Sequence, residues 1–279
     1  MTSPTRIALL IGAPGGLNST FLPGVESDIQ NVQSFLMSAH GGAWHDDEII
    51  ILNDPDKAEV FLALQYLFAD YVIVYFSGHG FQDQKRRNFL SLTNGEYVED
   101  ILFLNETPRQ LILADCCSNI IPLPISGVPP FLGEDFRYGD PEELKLSRKL
   151  YDNWINNCLP GKVILHSTGA GTSSYDTPTG GVFTKTLLRI GNTFCITQIS
   201  AKLDILSSAK YVMPDLANQG SEQIPSKTYL EGNGNLPFAI APENILRYKV
   251  KPKVARRSNS RALVALGLLG LGLYLASED

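Results

Sequence analysis

Tyr71-Val72-Ile73-Val74-Tyr75-Phe76-Ser77-Gly78-His79-Gly80 is the stretch on which the reading of this chain turns. Six apolar residues in succession, all β-branched or aromatic, describe a strand buried on both faces, as strands of a parallel sheet are. The run stops at a small polar tetrapeptide holding one of only four histidines. Similar two-sided apolar runs occur at residues 7–11, 48–52, 111–114 and 162–165, with a last one near 236–240. Between them, residues 25–37, 57–68, 142–157 and 183–190 carry apolar side chains at helical spacing. Alternation of this kind predicts an α/β fold: an open, mostly parallel sheet with helices on both faces. In such sheets ligands bind beyond the carboxyl ends of the strands, so the residues just after each run carry the information.

Those residues are Ser77-Gly78-His79-Gly80, Asp115-Cys116-Cys117-Ser118 and His166-Ser167-Thr168-Gly169, which together hold two of the four histidines and two of the four cysteines. Four cysteines, two of them adjacent, make no disulfide framework and suit a reducing compartment. Neither His nor Cys recurs at a metal-ligand spacing, so no metal or other cofactor is expected. The run at 7–11 is too short for a signal peptide. Charge is uneven: seven Lys/Arg and no acid lie between Arg247 and Arg261, whereas residues 1–242 hold 26 of the 29 acidic residues. An acidic body with a basic neck argues against nucleic acid as the body's partner.

Tyr75–Gly80 and Leu113-Ala114-Asp115-Cys116-Cys117-Ser118 resemble the His and Cys boxes of the caspase family, and among its branches the metacaspases and bacterial orthocaspases. Gly181-Val182-Phe183-Thr184 before a helix, Gln223-Ile224-Pro225, Pro237-Phe238, and Leu22-Pro23-Gly24 with Asp28 extend the resemblance in order over roughly residues 5–241. It implies a caspase-like cysteine peptidase with Cys117 as nucleophile and His79 as acid/base. That pairing is chemically sound, because a thiol is a good nucleophile once a neighbour handles its proton. The resemblance also implies an oxyanion hole built from the backbone N–H groups of Gly80 and Cys117. Cys116 is the rival nucleophile, but side-chain alternation along a strand turns it away from the face shared by Asp115 and Cys117. His166 is read as structural or cleft-lining, His40 and His45 as loop residues, and Cys158 and Cys195 as structural.

Asp115 stands two residues before Cys117, and Ser77 two before His79. A carboxylate beside a thiol raises the thiol's pKa, a cost that a cationic substrate side chain removes. By resemblance, Asp28, Ser77 and Asp115 line the pocket for the residue preceding the scissile bond (P1), with Asp176 a further wall residue. Caspases that cleave after Asp need arginines there; here no Arg or Lys lies between Gly80 and Lys85 or between Val163 and Lys185. The expected substrate is therefore a protein or peptide with Arg or Lys at P1. No acid lies between Cys117 and Gly133, so the acidic cluster of calcium-dependent metacaspases has no counterpart, and Glu134, Asp135, Asp140, Glu142 and Glu143 read as a solvated loop face. Residues 121–150 are a candidate autoprocessing segment, with Lys145, Arg148 and Lys149 either exposed sites or protected on the 142–157 helix.

The reading divides the chain into a peptidase domain at 1–242, a basic linker at 243–261 and a hydrophobic tail at 262–279. The uncharged run 262–276, as a helix, is about 22 Å long against a hydrocarbon core of about 30 Å. With its basic flank it is a candidate anchor holding a cytoplasmic catalytic domain at a membrane. Three alternatives remain open: an autoinhibitory or self-associating tail, a catalytically inactive scaffold of the same fold, and a membrane effector released by its peptidase domain.

Overall fold

The computed structural model describes residues 3–16, 19–117, 139–169, 174–197, 202–218, 221 and 223–241, leaving out the side chains of 117 and 194–197. Five parallel strands carry the architecture: β1 (Arg6–Ala13), β2 (Ile49–Asn53), β3 (Tyr71–Gln82), β6 (Arg109–Cys117) and β7 (Gly161–His166). They stand in the order β2-β1-β3-β6-β7, and β9 (Ser226–Gly232) closes one edge antiparallel to β7. The two strands bearing the His and Cys boxes, β3 and β6, are neighbours at the centre.

Two apolar layers flank this sheet. Tyr71, Ile73 and Tyr75 of β3 and Leu111 and Leu113 of β6 pack with residues of α1 (Val25–Met37), α3 (Pro141–Asn157), α4 (Val182–Thr197) and α5 (Ile205–Asn218). Val72, Val74 and Phe76, with Ile112, Ala114 and Cys116, face the other way, toward α2 (Lys57–Leu64) and the hairpin β4 (Asn88–Ser91) and β5 (Tyr97–Glu99). The two-residue period of a strand makes this division. It also sets Asp115 and Cys116 on opposite faces.

Where the structure departs from the pattern, local chemistry explains it. Strand β3 does not stop at Phe76; it runs on to Gln82, and Gly80, Phe81 and Gln82 pair antiparallel with Leu90, Phe89 and Asn88 of β4. Serine and glycine mask that extension in the sequence, because neither carries strand propensity. Helix α2 starts with a capping box, Glu59 N–H on Asp56 and Asp56 N–H on Glu59. It ends at Leu64 rather than 68: the N–H groups of Gln65, Tyr66 and Leu67 close tighter turns onto Leu62, Ala63 and Leu64, and the Leu67 carbonyl accepts from Asn105 Nδ2 at 2.7 Å and Thr107 Oγ1 at 3.1 Å. The last expected strand becomes β10 (Pro237–Ile240), which joins β8 (Lys202–Asp204) in a separate two-stranded sheet.

At the opposite end from the boxes, Arg6 is buried over the rings of Trp44 and Tyr151, at 4.8 and 5.5 Å, and reaches Glu48 and Asp152. Glu48 also takes Arg148 of α3 at 2.7 Å, and these cations hold its carboxyl down at about 2 although burial pushes the other way. Arg148 therefore lies in an ion network on a helix, with Lys145 and Lys149 on the same helix. All three lie on a regular helix, which favours protection at the half-buried, ion-paired Arg148, while the Lys145 and Lys149 side chains are exposed. Asp140 caps that helix through Glu143 N–H at 2.9 Å, with Glu142 and Glu143 in its first turn, so these three acids serve a helix N-terminus. Glu134 and Asp135 lie outside the described residues. Residues Met1–Ile245 form one compact unit. Residues 242–279, and with them the hydrophobic tail, lie outside the described residues. Among the described residues no helix is long and apolar enough to cross a membrane.

Candidate active site

The parallel register of β3 on β6 pairs Ser77 with Asp115, Gly78 with Cys116 and His79 with Cys117. The backbone thus brings the expected base and nucleophile opposite one another, within the strands rather than after them. The Cys117 side chain lies outside the described residues. His79 is buried, and its Nε2 stands 2.6 Å from the carbonyl oxygen of Thr20. A carbonyl only accepts, so Nε2 carries the hydrogen and Nδ1 keeps the lone pair that can take a proton. Gly15, at φ +91°, makes this contact possible: a Cβ there would sit 2.7 Å from the Thr20 oxygen and 2.9 Å from His79 Nε2.

Beside this pair lies a buried acidic cluster. Asp28 of α1 accepts from Ser77 Oγ at 2.8 Å and from the Gly181 N–H at 2.8 Å. Asp115 accepts from Thr184 Oγ1 at 2.6 Å, Thr184 N–H at 3.2 Å and Ser174 Oγ at 2.9 Å. Both carboxyls therefore bind backbone N–H groups at the start of α4, where the helix dipole favours negative charge. They flank Gly181 so closely that a Cβ there would overlap Asp115 Oδ2 and lie 3.2 Å from Asp28 Oδ2. Burial, and then the charge of Asp115, push the Asp28 carboxyl well above its ordinary range. Asp176 completes the wall, accepting from Gly24 N–H at 3.2 Å; burial is the main cause that raises it to about 6. All four residues expected in the pocket thus belong to one connected cluster, Asp176 included.

Three polar partners of this cluster had no pocket role in the sequence reading, although Thr184 and Gln223 stand in motifs that carry the resemblance. Ser174 and Thr184 are ordinary hydroxyl residues until the fold aims them at Asp115. Gln223 donates through Nε2 to Ser174 Oγ at 3.1 Å, extending the network to the segment before β9. The fourth residue missed is Lys185. It bounded the interval scanned for cations, yet α4 places it at the pocket, where its ammonium donates to Thr177 Oγ1 at 2.7 Å.

On the opposite face, a second chain of polar groups runs under the site. Cys116 Sγ lies 3.6 Å from His166 Nδ1, and His166 Nε2 lies 2.8 Å from Asp100 Oδ2. Asn88 Nδ2 also donates to Asp100 Oδ2 at 3.2 Å. His166 thus has two named partners on this face and stands apart from the acidic cluster. The thiol sits among Leu90, Leu92, Ile112 and Ile164. Gly80 packs directly against it, since a Cβ on Gly80 would come 2.7 Å from Cys116 Sγ. Of the remaining candidates, His40 Nδ1 meets Asn192 Oδ1 at 3.3 Å and Cys158 is buried at the end of α3. The Cys195 side chain lies outside the described residues.

Residues 5–231 match the family model of the caspase domain of C14 peptidases. A paracaspase of Dictyostelium discoideum is 31% identical over 140 residues, 43% of this chain and 34% of the paracaspase. Metacaspase-1 of Eremothecium gossypii is 31% identical over 120 residues, 34% of this chain and 26% of the metacaspase. The chain therefore spans about a third or less of the length of either relative. Caspase-1 of Spodoptera frugiperda superposes with a TM-score of 0.51 at 14% identity, covering 86% of this chain and 90% of that one. A Geobacter sulfurreducens protein gives 0.55 at 17% identity, covering 85% and 99%. At these identities the structural likeness speaks for the fold.

Proposed function

Since the chain belongs to the caspase-domain family of C14 peptidases, we propose that it is a cysteine endopeptidase cleaving after Arg or Lys, with Cys117 as nucleophile and His79 as acid/base. The observation that carries the reading is the buried cluster of Asp28, Asp115 and Asp176 beside the His79–Cys117 register pair. Nδ1 of His79 takes the Cys117 proton and the thiolate adds to the scissile carbonyl. The backbone N–H groups of Gly80 and Cys117 receive the developing oxyanion. The imidazolium then protonates the leaving amine, and the neutral ring activates water to release the acyl group. A guanidinium or ammonium at P1 meets the carboxylates, which suits a site where buried negative charge is otherwise costly.

A fluorogenic panel tests the specificity. Peptides with P1 Arg or Lys are expected to be cleaved, and P1 Asp peptides left intact; preference for P1 Asp would overturn the pocket assignment. A peptidyl-Arg chloromethyl ketone, followed by mass spectrometry, tests the nucleophile. A second reading has its own observation: Cys116, His166 and Asp100 form a thiol–imidazole–carboxylate chain. Against it, that thiol is buried in an apolar layer closed by Gly80. Label on Cys117 supports the first reading and label on Cys116 the second. A chain that takes no label is a scaffold.

The run 262–276, behind seven basic residues, supports a membrane anchor, since each Lys/Arg near an anionic leaflet contributes roughly 1 kcal/mol. The catalytic unit then works on the cytoplasmic side. Full-length protein is expected to pellet with membranes and resist carbonate extraction, while residues 1–245 stay in the supernatant. Full-length protein that is soluble and monomeric without detergent would exclude the anchor.

A further inference from the structure

Lys185 stands in the first turn of α4, where a cation opposes the helix dipole. It is 5% exposed, and burial is rarely tolerated by lysine without a partner. Its ammonium donates to Thr177 Oγ1 at 2.7 Å and Thr179 Oγ1 at 3.3 Å. Those hydroxyls belong to a tight turn in which Gly180 N–H donates to Thr177 O at 2.8 Å and Thr177 Oγ1 reaches Gly180 O at 2.7 Å. Gly180, at φ +111°, abuts the pocket so closely that a Cβ would lie 2.5 Å from Asp28 Oδ1. The same turn leads from Asp176 to Gly181, whose N–H binds Asp28. One buried ammonium therefore fastens the segment that joins two of the three pocket carboxyls.

We propose that Lys185 is a specificity-determining residue of the P1 pocket, a resident counter-ion to Asp176 that fastens the Thr177–Gly180 wall for a cationic side chain. The inference rests on the basic-P1 reading above. Among the described residues, the charged and titratable groups around the pocket are Asp28 on α1, Tyr75 on β3, whose hydroxyl meets Thr184 Oγ1, Asp115 on β6, Asp176 on the wall segment and Lys185 itself, with His79 of β3 beside them. Burial lowers the Lys185 pKa, while Asp28, Asp176 and Asp115 each raise it. In return Lys185 lowers that of Asp176, against the burial that brings it to about 6. A single ammonium cannot neutralise three carboxyls. Carboxyl oxygens thus remain for the substrate cation to meet, and the wall retains its shape.

Lys185→Gln keeps hydrogen-bond donors on the stem and removes only the charge, so it tests the claim without emptying a buried site; Lys185→Arg restores the charge. For a P1 Arg peptide, Lys185→Gln is expected to raise KM about five- to twentyfold with the larger share of the loss in KM rather than kcat. The acid limb of its kcat/KM profile is expected to move to higher pH, and Lys185→Arg to recover most of both. An unchanged or lower KM together with an unmoved acid limb would overturn the proposal, as would a loss that Lys185→Arg does not relieve. Carbon-13 carboxyl titration of Asp176 in the full chain reads the same coupling without activity. Its midpoint rises in Lys185→Gln if the counter-ion role holds and stays put if it does not. Should wild type ignore P1 Arg altogether, the basic-P1 reading falls, and Lys185 loses its specificity role whatever the titration shows.

Discussion

Cys117→Ala and His79→Ala each lower peptidase activity by about 10⁴-fold or more, while Cys116→Ala keeps most of it; this is the expected outcome of one kinetic series. The magnitude follows from the way nucleophile and base act as a unit, so that losing either costs nearly as much as losing both. The double variant Cys117→Ala/His79→Ala should then be little worse than either single one. The geometry behind the expectation is the register that sets His79 opposite Cys117, and the Thr20 carbonyl that fixes the imidazole tautomer. Cys116→Ala removes a contact to His166 Nδ1 on the other face. Leaving a buried ring nitrogen without its partner costs about 1–3 kcal/mol, so this variant should unfold earlier without losing its chemistry. Activity surviving in Cys117→Ala but not in Cys116→Ala would reverse the assignment and hand the reaction to the Cys116–His166–Asp100 chain.

The parts of this fold legible in the sequence are those where burial on both faces leaves an unbroken apolar run. Four of the five parallel strands are of that kind, β2 being apolar but only half-buried, and their order along the chain brought His79, Asp115 and Cys117 to attention. Strands β4, β5, β8 and β9 are short or solvated on one face. In β9 only Leu230 and Tyr229 interrupt a polar run, so no strand period stands out. Helix α5 carries Pro214 in its interior, a residue that argues against a helix in any sequence reading. In the pocket, Asp115 was legible because it sits two residues from a box residue, and Asp28 because it lies on a recognised helix. Lys185 was missed for a physical reason: nothing in its sequence neighbourhood says that the first turn of α4 bends back onto Asp28 and Asp115. Its clue was a lysine at the start of a helix, where the dipole disfavours it. Asp100 and His166 were missed as partners because 66 residues separate them in sequence, and only the β4–β5 excursion brings them together.

Asp28→Asn is expected to separate binding from stability. In the wild type the Asp28 carboxyl is raised well above its ordinary value by burial and by Asp115. The folded state then holds that proton more tightly than the unfolded chain does. The stabilising contribution of the neutral form is complete below the unfolded pKa and is lost as pH rises through the folded one. At neutral pH the fold therefore bears either a buried charge or the cost of keeping it protonated. Asparagine is nearly isosteric, retains an oxygen for the Gly181 N–H, and offers an amide to Ser77 Oγ in place of the bond it now accepts. The variant should melt a few degrees higher at pH 8, at about 2–4 °C per kcal/mol for a chain of this size, with the difference shrinking toward pH 4. Its kcat/KM for P1 Arg peptides should fall by about 10²-fold, the loss expected when one partner of a desolvated charge pair is removed. Thermal melts across that pH range and a P1 Arg titration read the two effects independently. A variant that is less stable at pH 8 yet cleaves P1 Arg as well as wild type would remove Asp28 from the pocket and leave it as a helix-capping carboxylate.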